Sequence, residues 1–213
     1  PSQKVAEALA YFMDNGGLFT VNTGRTHRIF DLDPKYMNAP VILGNGALLM
    51  DWTSREILHL SPIGDEGLAP VRDVRDFFPK VMIELHVPGD VTYSLHMEQE
   101  GYTDVSDPAD APRPWIKSVM IGSREEIAGV QKFLAAYHRN NVSFFPTTGG
   151  WLEVVRCGVS KGTGLKLLAK RLGIPMDKVF AVGDGHNDVE MLQTAAIGFV
   201  PENGEAEALA VAD

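Results

Sequence analysis

Two aspartates four residues apart, Asp184 and Asp188, stand in the stretch VFAVGDGHNDVEML, residues 179 to 192. An apolar strand delivers Asp184 into a glycine-flanked loop at its carboxyl end, where open α/β sheets place their ligands. Asp188 falls near the start of the next helix, a position that favours anions. Two carboxylates so placed can hold one hard cation through oxygen ligands and ordered water, the usual manner of binding Mg²⁺. The same residues also suit a tight turn followed by a helix cap. Ser160-Lys161-Gly162 puts a lysine in the first turn of a helix, where the macrodipole disfavours a cation. Contact with a phosphate and an adjacent carboxylate would give that lysine a reason; a solvated lysine would carry a penalty of only about 0.3 to 1 kcal/mol. Thr23-Gly24-Arg25 follows a short apolar strand, so hydroxyl, backbone N–H groups and guanidinium can face an anion there, or the hydroxyl can merely cap a turn.

A second acidic pair, Asp31-Leu32-Asp33, has the spacing of a nucleophile and general acid in phosphoryl transfer. It follows the polar run Thr26 to Phe30 instead of a buried strand, and Pro34 and Lys35 come next, so an acidic surface turn is expected. Glu84, His86 and His96 invite a metal site. Pairing about Gly89 sets His86 opposite Thr92 and not His96, so the three read as ordinary residues of a hairpin. His186 reads as an exposed loop residue, and Cys157, with no histidine near it in sequence, as a small packing residue.

The elements that must position these groups alternate in type. Ser2 to Asn15 has a helical apolar stripe (Val5, Ala8, Leu9, Phe12) ended by Gly16-Gly17. Leu18 to Val21 and Pro40 to Leu43 read as short buried strands, the pattern of a parallel sheet. From Ala47 the texture changes to paired strands: Lys80 to Val87 with Val91 to Met97 across Pro88-Gly89-Asp90, and Val142 to Phe145 with Trp151 to Val155 across 147–150. A strand at Ile116 to Ile121 and a helix at Arg124 to Arg139 lie between them. The parallel texture then returns, with a helix capped by Ser160, strands at Val179 to Val182 and Ala196 to Val200, and a helix at Glu202 to Ala212. The expected fold class is therefore α/β: a Rossmann-like parallel-sheet core from residues 1–46 and 156–213, interrupted by an inserted α+β domain, 47–155.

Composition narrows the function classes. Nineteen basic against 28 acidic residues give a formal charge of −9, which disfavours nucleic acid and anionic lipid surfaces as partners. No apolar run approaches the roughly 18 residues a membrane span needs. One cysteine excludes an internal disulfide, and a reducing cytoplasm is the expected setting.

Taken together, FTVNTGR (19–25), VILGNGA (41–47), VSKGTGLKLLAKRLGI (159–174) and GDGHNDVEML (183–192) resemble the haloacid dehalogenase superfamily, in particular its Cof-type branch with a large α/β cap. The resemblance implies a Mg²⁺-dependent phosphatase of small phosphorylated metabolites such as sugar phosphates. An aspartate would attack phosphorus, and a second acid two residues on would protonate the leaving group. It implies Thr23 and Lys161 as catalytic groups on the phosphoryl oxygens, with Gly24, Arg25 and Asn187 on the phosphate side and Asp184 and Asp188 at the metal, the latter directly or through water. The Asp-x-Asp strand of that family precedes the helix leading to Thr23, so it is expected upstream of Pro1, and residues 1–213 alone are expected to be inactive. The chain also stops where that family adds a strand. A non-catalytic phosphate-binding module and a phosphomutase are the alternatives; oligomeric state stays open.

Overall fold

The computed structural model describes residues 1–213 apart from 27–29, 90, 97–99 and 148. The first helix, α1 (Gln3–Asp14), begins where the Ser2 hydroxyl accepts the Val5 N–H, and Gly16, at a φ of 85°, turns the chain out of it. Residues 18–22 run extended beside β1 (Val41–Leu43), with parallel polarity, but they form a single bridge, Asn22 to Ile42, instead of the expected strand. The Ile42 N–H donates to the Val21 carbonyl and the Thr23 N–H to the Ile42 carbonyl, both at 2.9 Å. Among the described residues the run has backbone pairing on one side only, which explains why it stays short.

The chain then turns back through Gly44–Gly46 into β2 (Leu48–Met50) and β3 (Ile57–Leu60), both antiparallel. Strand β2 thus pairs with β1 and β3 with β2, so residues 48–60 extend the sheet that β1 begins. Helix α2 (Leu68–Phe77) follows, an element the sequence reading passed over. A six-stranded sheet comes next, in the order β6-β5-β4-β7-β9-β8. Its strands are β4 (Met82–His86), β5 (Thr92–Leu95), β6 (Thr103–Asp104), β7 (Lys117–Ile121), β8 (Val142–Thr147) and β9 (Trp151–Arg156), with α3 (Arg124–Tyr137) between β7 and β8. The expected hairpin is present as β4 and β5; Asp90 and Met97 of that expectation, and Thr148 of the second turn, lie outside the described residues.

Register decides what each face of this sheet carries. Ile83, Leu85, Leu152 and Val154 point to one side and pack with Val74 of α2 and Leu134 of α3. The opposite face holds the pair His86 and Lys117 and the row Glu84, Val119, Glu153. Helix α4 (Lys161–Leu172) returns the chain to β1, and its Gly164 crosses Gly46 so closely that a Cβ on Gly164 would lie 2.7 Å from the Gly46 Cα. Side chains larger than hydrogen at that crossing would push α4 off the β1–β2 turn.

Strands β10 (Phe180–Val182) and β11 (Ile197–Phe199) form a two-stranded parallel sheet flanked by α5 (Val189–Thr194). The helix expected over 202–212 is only α6 (Ala206–Leu209). Among the described residues, neither the free edge of β10 nor that of 18–22 has a strand partner. Phe180, Val182 and Phe199 are more than half exposed. No helix among the described residues is long and apolar enough to cross a membrane.

The acidic pair 31–33 lies on the surface, as expected. The Asp33 carboxylate accepts the Lys35 N–H at 3.0 Å, caps a single turn at Pro34–Tyr36 and pairs with the Lys35 ammonium, which holds its carboxyl below the usual range. His27, Arg28 and Ile29, part of the polar run before it, lie outside the described residues.

Candidate active site

The candidate site begins at the N-terminus of α4. Ser160 caps the helix, its hydroxyl accepting the Thr163 N–H at 3.0 Å, and this fixes the first turn that carries Lys161. The Lys161 ammonium is buried and donates to Asp188 Oδ1 at 2.6 Å. A cation at a helix N-terminus and out of water needs a close counter-charge, and Asp188 supplies it. The other Asp188 oxygen accepts the N–H groups of Asp184 and Gly185, each at 3.1 Å, and so shapes the loop that follows β10. A Cβ on Gly183 would come within 2.6 Å of the Asp188 carboxyl carbon, so that glycine is required by contact.

Both oxygens of Asp188 are therefore engaged within the chain. Asp184 differs: it is exposed, and its carboxylate has no partner among the described residues. Of the two aspartates singled out from sequence, Asp188 holds Lys161 and the loop, while the Asp184 carboxylate is unpaired among the described residues.

Thr23 closes the facing side. Its hydroxyl accepts the Arg25 N–H at 3.2 Å, while the Asn45 N–H donates to the Thr23 carbonyl at 3.1 Å and the Gly44 N–H to the Arg25 carbonyl at 3.0 Å. Arg25 is exposed, and its guanidinium makes no hydrogen bond or ion pair among the described residues. Asn22 ties the turn to α4 by donating to the Lys161 carbonyl at 2.9 Å. Its Oδ1 is buried without a partner among the described residues.

Several residues of the site escaped sequence reasoning. The Asn187 amide donates to Asn45 Oδ1 at 3.1 Å, and the Asn45 amide donates to Glu153 Oε2 at 2.6 Å. Glu153 pairs with Lys117, whose ammonium also donates to the Gly24 carbonyl at 2.8 Å. The available signal was a lone charge at an otherwise apolar position of a strand, as in WLEVV and IKSVM. Nearby, His86 Nε2 lies 2.9 Å from a Glu84 carboxylate oxygen and His86 Nδ1 lies 3.3 Å from the Thr26 hydroxyl. Burial pushes the His86 imidazole below its ordinary value against the opposing pull of Glu84. The pairing of His86 with Thr92 is as expected, and no cluster of three metal-ligating side chains occurs among the described residues. Cys157 is exposed, not packed as expected, and His186 is exposed.

A surface cleft of about 470 Å³ opens beside this site, between β8 and α5, lined by Arg139, Ser143, Phe144, Phe145, Ser160 and Glu190. None of Thr23, Lys161, Asp184 or Asp188 lines it.

A mixed α/β fold with parallel strand pairing and a six-stranded sheet in the middle of the chain defines the class as an α/β protein. Within that class the family is shown directly: a profile of the haloacid dehalogenase-like hydrolases matches residues 1–213, and the chain belongs to that family. The Bacillus subtilis protein YitU, named a 5-amino-6-(5-phospho-D-ribitylamino)uracil phosphatase, is 23% identical over 220 residues, covering 95% of this chain and 80% of its own. The sugar phosphatase BT4131, of subclass IIB, superposes with a TM-score of 0.84 at 21% identity, covering 100% of this chain and 84% of that one. A third relative, the chloroplastic endoribonuclease YBEY of Arabidopsis thaliana, is 50% identical over 62 residues, which span 29% of this chain and 11% of that protein.

Proposed function

We propose that this chain forms most of a Mg²⁺-dependent phosphatase of small phosphorylated metabolites, sugar or polyol phosphates first among them, whose nucleophilic aspartate lies on a strand upstream of Pro1. The observation that carries the proposal is the buried Lys161 ammonium, held 2.6 Å from Asp188 between the Thr23 turn and the Asp184 loop. A buried cation beside a hydroxyl, an amide and a free carboxylate matches what a transferring phosphoryl group requires. The free edges of β10 and 18–22, and the unpartnered Asn22 Oδ1, support a strand that comes to lie between them. The substrate class takes its support from the names of YitU and BT4131.

In the proposed reaction an aspartate oxygen bonds to phosphorus as the ester P–O bond breaks, and the leaving oxygen takes its proton from a second acid two residues on. Water, giving its proton to the now ionised second acid, then adds to phosphorus as the bond from phosphorus to the aspartate oxygen breaks, releasing phosphate and restoring both groups. Lys161 neutralises charge on the phosphoryl oxygens. Thr23 and Asn187 donate hydrogen bonds to them, with Gly24 and Arg25 on the same side. Asp184 would hold Mg²⁺, whose bound charge lowers the repulsion between nucleophile and phosphate. One free carboxylate fits that ion, which takes one or two protein carboxylates and leaves its other positions to water and phosphate. Asp188 acts behind Lys161 and the loop. A single cysteine suits a reducing, cytoplasmic setting.

The test is phosphate release from a panel of sugar phosphates by the full-length protein with MgCl₂. Activity is expected, and Lys161→Met should lower kcat by about 10²-fold or more. A full-length chain with no aspartate upstream would defeat the proposal. Sugar phosphates that bind and survive intact would indicate a non-catalytic module, and transfer to a second hydroxyl a phosphomutase.

A further inference from the structure

Lys117 and Glu153 are charges on the inner face of the inserted sheet, and Lys117 is only 2% exposed. A buried ion pair of this kind contributes little net stability compared with apolar residues of the same size, so its partners are informative. The Lys117 ammonium donates to the Gly24 carbonyl, in the turn that carries Thr23. The Glu153 carboxylate accepts from Asn45 at 2.6 Å. A carboxylate can only accept, so it fixes which end of the Asn45 amide faces it; the Asn45 oxygen is thereby turned toward Asn187, which donates to it at 3.1 Å. Asn187 keeps its second N–H for another acceptor. Contact reinforces the same relation. A Cβ on Gly24 would strike the Glu153 carboxylate and come within 3.0 Å of Asn45 Oδ1, so the turn backbone rests directly on this network.

We propose that Lys117 and Glu153 are positioning residues for the phosphate site: from the inserted sheet they set the Thr23–Gly24 turn and, through Asn45, the donor direction of Asn187. The inference rests on the phosphatase proposal and extends it. Anion binding on the core would then depend on two charges that the anion need not touch.

The test is calorimetric titration of the full-length protein with inorganic phosphate in the presence of MgCl₂, alongside thermal melts. Lys117→Met and Glu153→Gln should each weaken phosphate binding by on the order of tenfold or more. The neutral double variant K117M/E153Q removes both charges and should melt closer to the parent than either single variant, yet still bind phosphate weakly. Recovery of affinity together with stability in the double variant would overturn the proposal, because it would reduce the pair to a structural role. Asn45→Gly leaves the ion pair whole, suits the left-handed backbone at a φ of 55°, and cuts the relay; it should also bind weakly, and it decides the matter should the charge variants fail to fold. Parent-like affinity in the folded variants overturns the positioning role alone. A parent that binds no phosphate overturns both it and the phosphatase proposal.

Discussion

At the scale of single residues, Lys161 and Asp188 keep their charges out of water against each other, with side chains 9% and 6% exposed. Removing one partner of a buried pair leaves the other uncompensated. Lys161→Met should therefore lower unfolding free energy by about 3 kcal/mol in urea titrations. A loss under about 1 kcal/mol would mean that the N–H groups of Asp184 and Gly185 suffice for Asp188. His86 makes a prediction with a definite sign. Its pKa is lowered by burial in the folded chain, against about 6.5 when unfolded. Between those values the unfolded chain binds a proton that the folded one does not, so stability should fall as pH drops through about 6.5 and keep falling until the folded value is reached. Urea midpoints at pH 7.5 and 5.5 should differ less for His86→Gln than for the parent; equal differences would remove the argument. Asp184, Lys161 and Thr23 stood out in the sequence because each follows a short apolar run or opens a helix. Lys117, Glu153 and Asn45 did not, because their partners lie up to 142 residues away and only tertiary register brings them together.

At the scale of elements, α4 matters most, since its first turn carries Lys161. Ser160→Ala removes the cap on the Thr163 N–H and should cost about 1 kcal/mol in the same titrations, with a shift in the melting temperature to match. Elements with a clear apolar period were readable: α3 and α4 lie within two residues of their expected limits. Helix α2 was not. Its buried face is only Pro70, Val71 and Val74, set among four charges, and the proline argues against a helix until its place in the first turn is known. Strands β2 and β3 escaped for another reason: the chain doubles back onto β1 through a turn whose Asn45 is left-handed, and a change of sheet partner leaves little trace in an apolar run.

At the scale of the whole molecule, the six-stranded sheet with its two helices is covered on both faces, whereas the parallel half is open along β10. Two strands with an exposed apolar face are marginal by themselves. Amide hydrogen exchange should accordingly be much faster at residues 180–182 than at 82–86 and 117–121 in residues 1–213 alone, and a chain extended upstream of Pro1 should slow it. Equal protection before extension would show that β10 needs no further neighbour.

The chain of contacts from Lys117 to Asn187 also has a consequence in time. It joins residues separated by 93, 108 and 142 positions, and contacts that close such long loops tend to form after local ones have paid their entropy. The anion site should then be absent from the folding transition state and complete only in the native chain. Saturating phosphate is expected to slow unfolding in stopped-flow jumps while leaving the refolding rate unchanged.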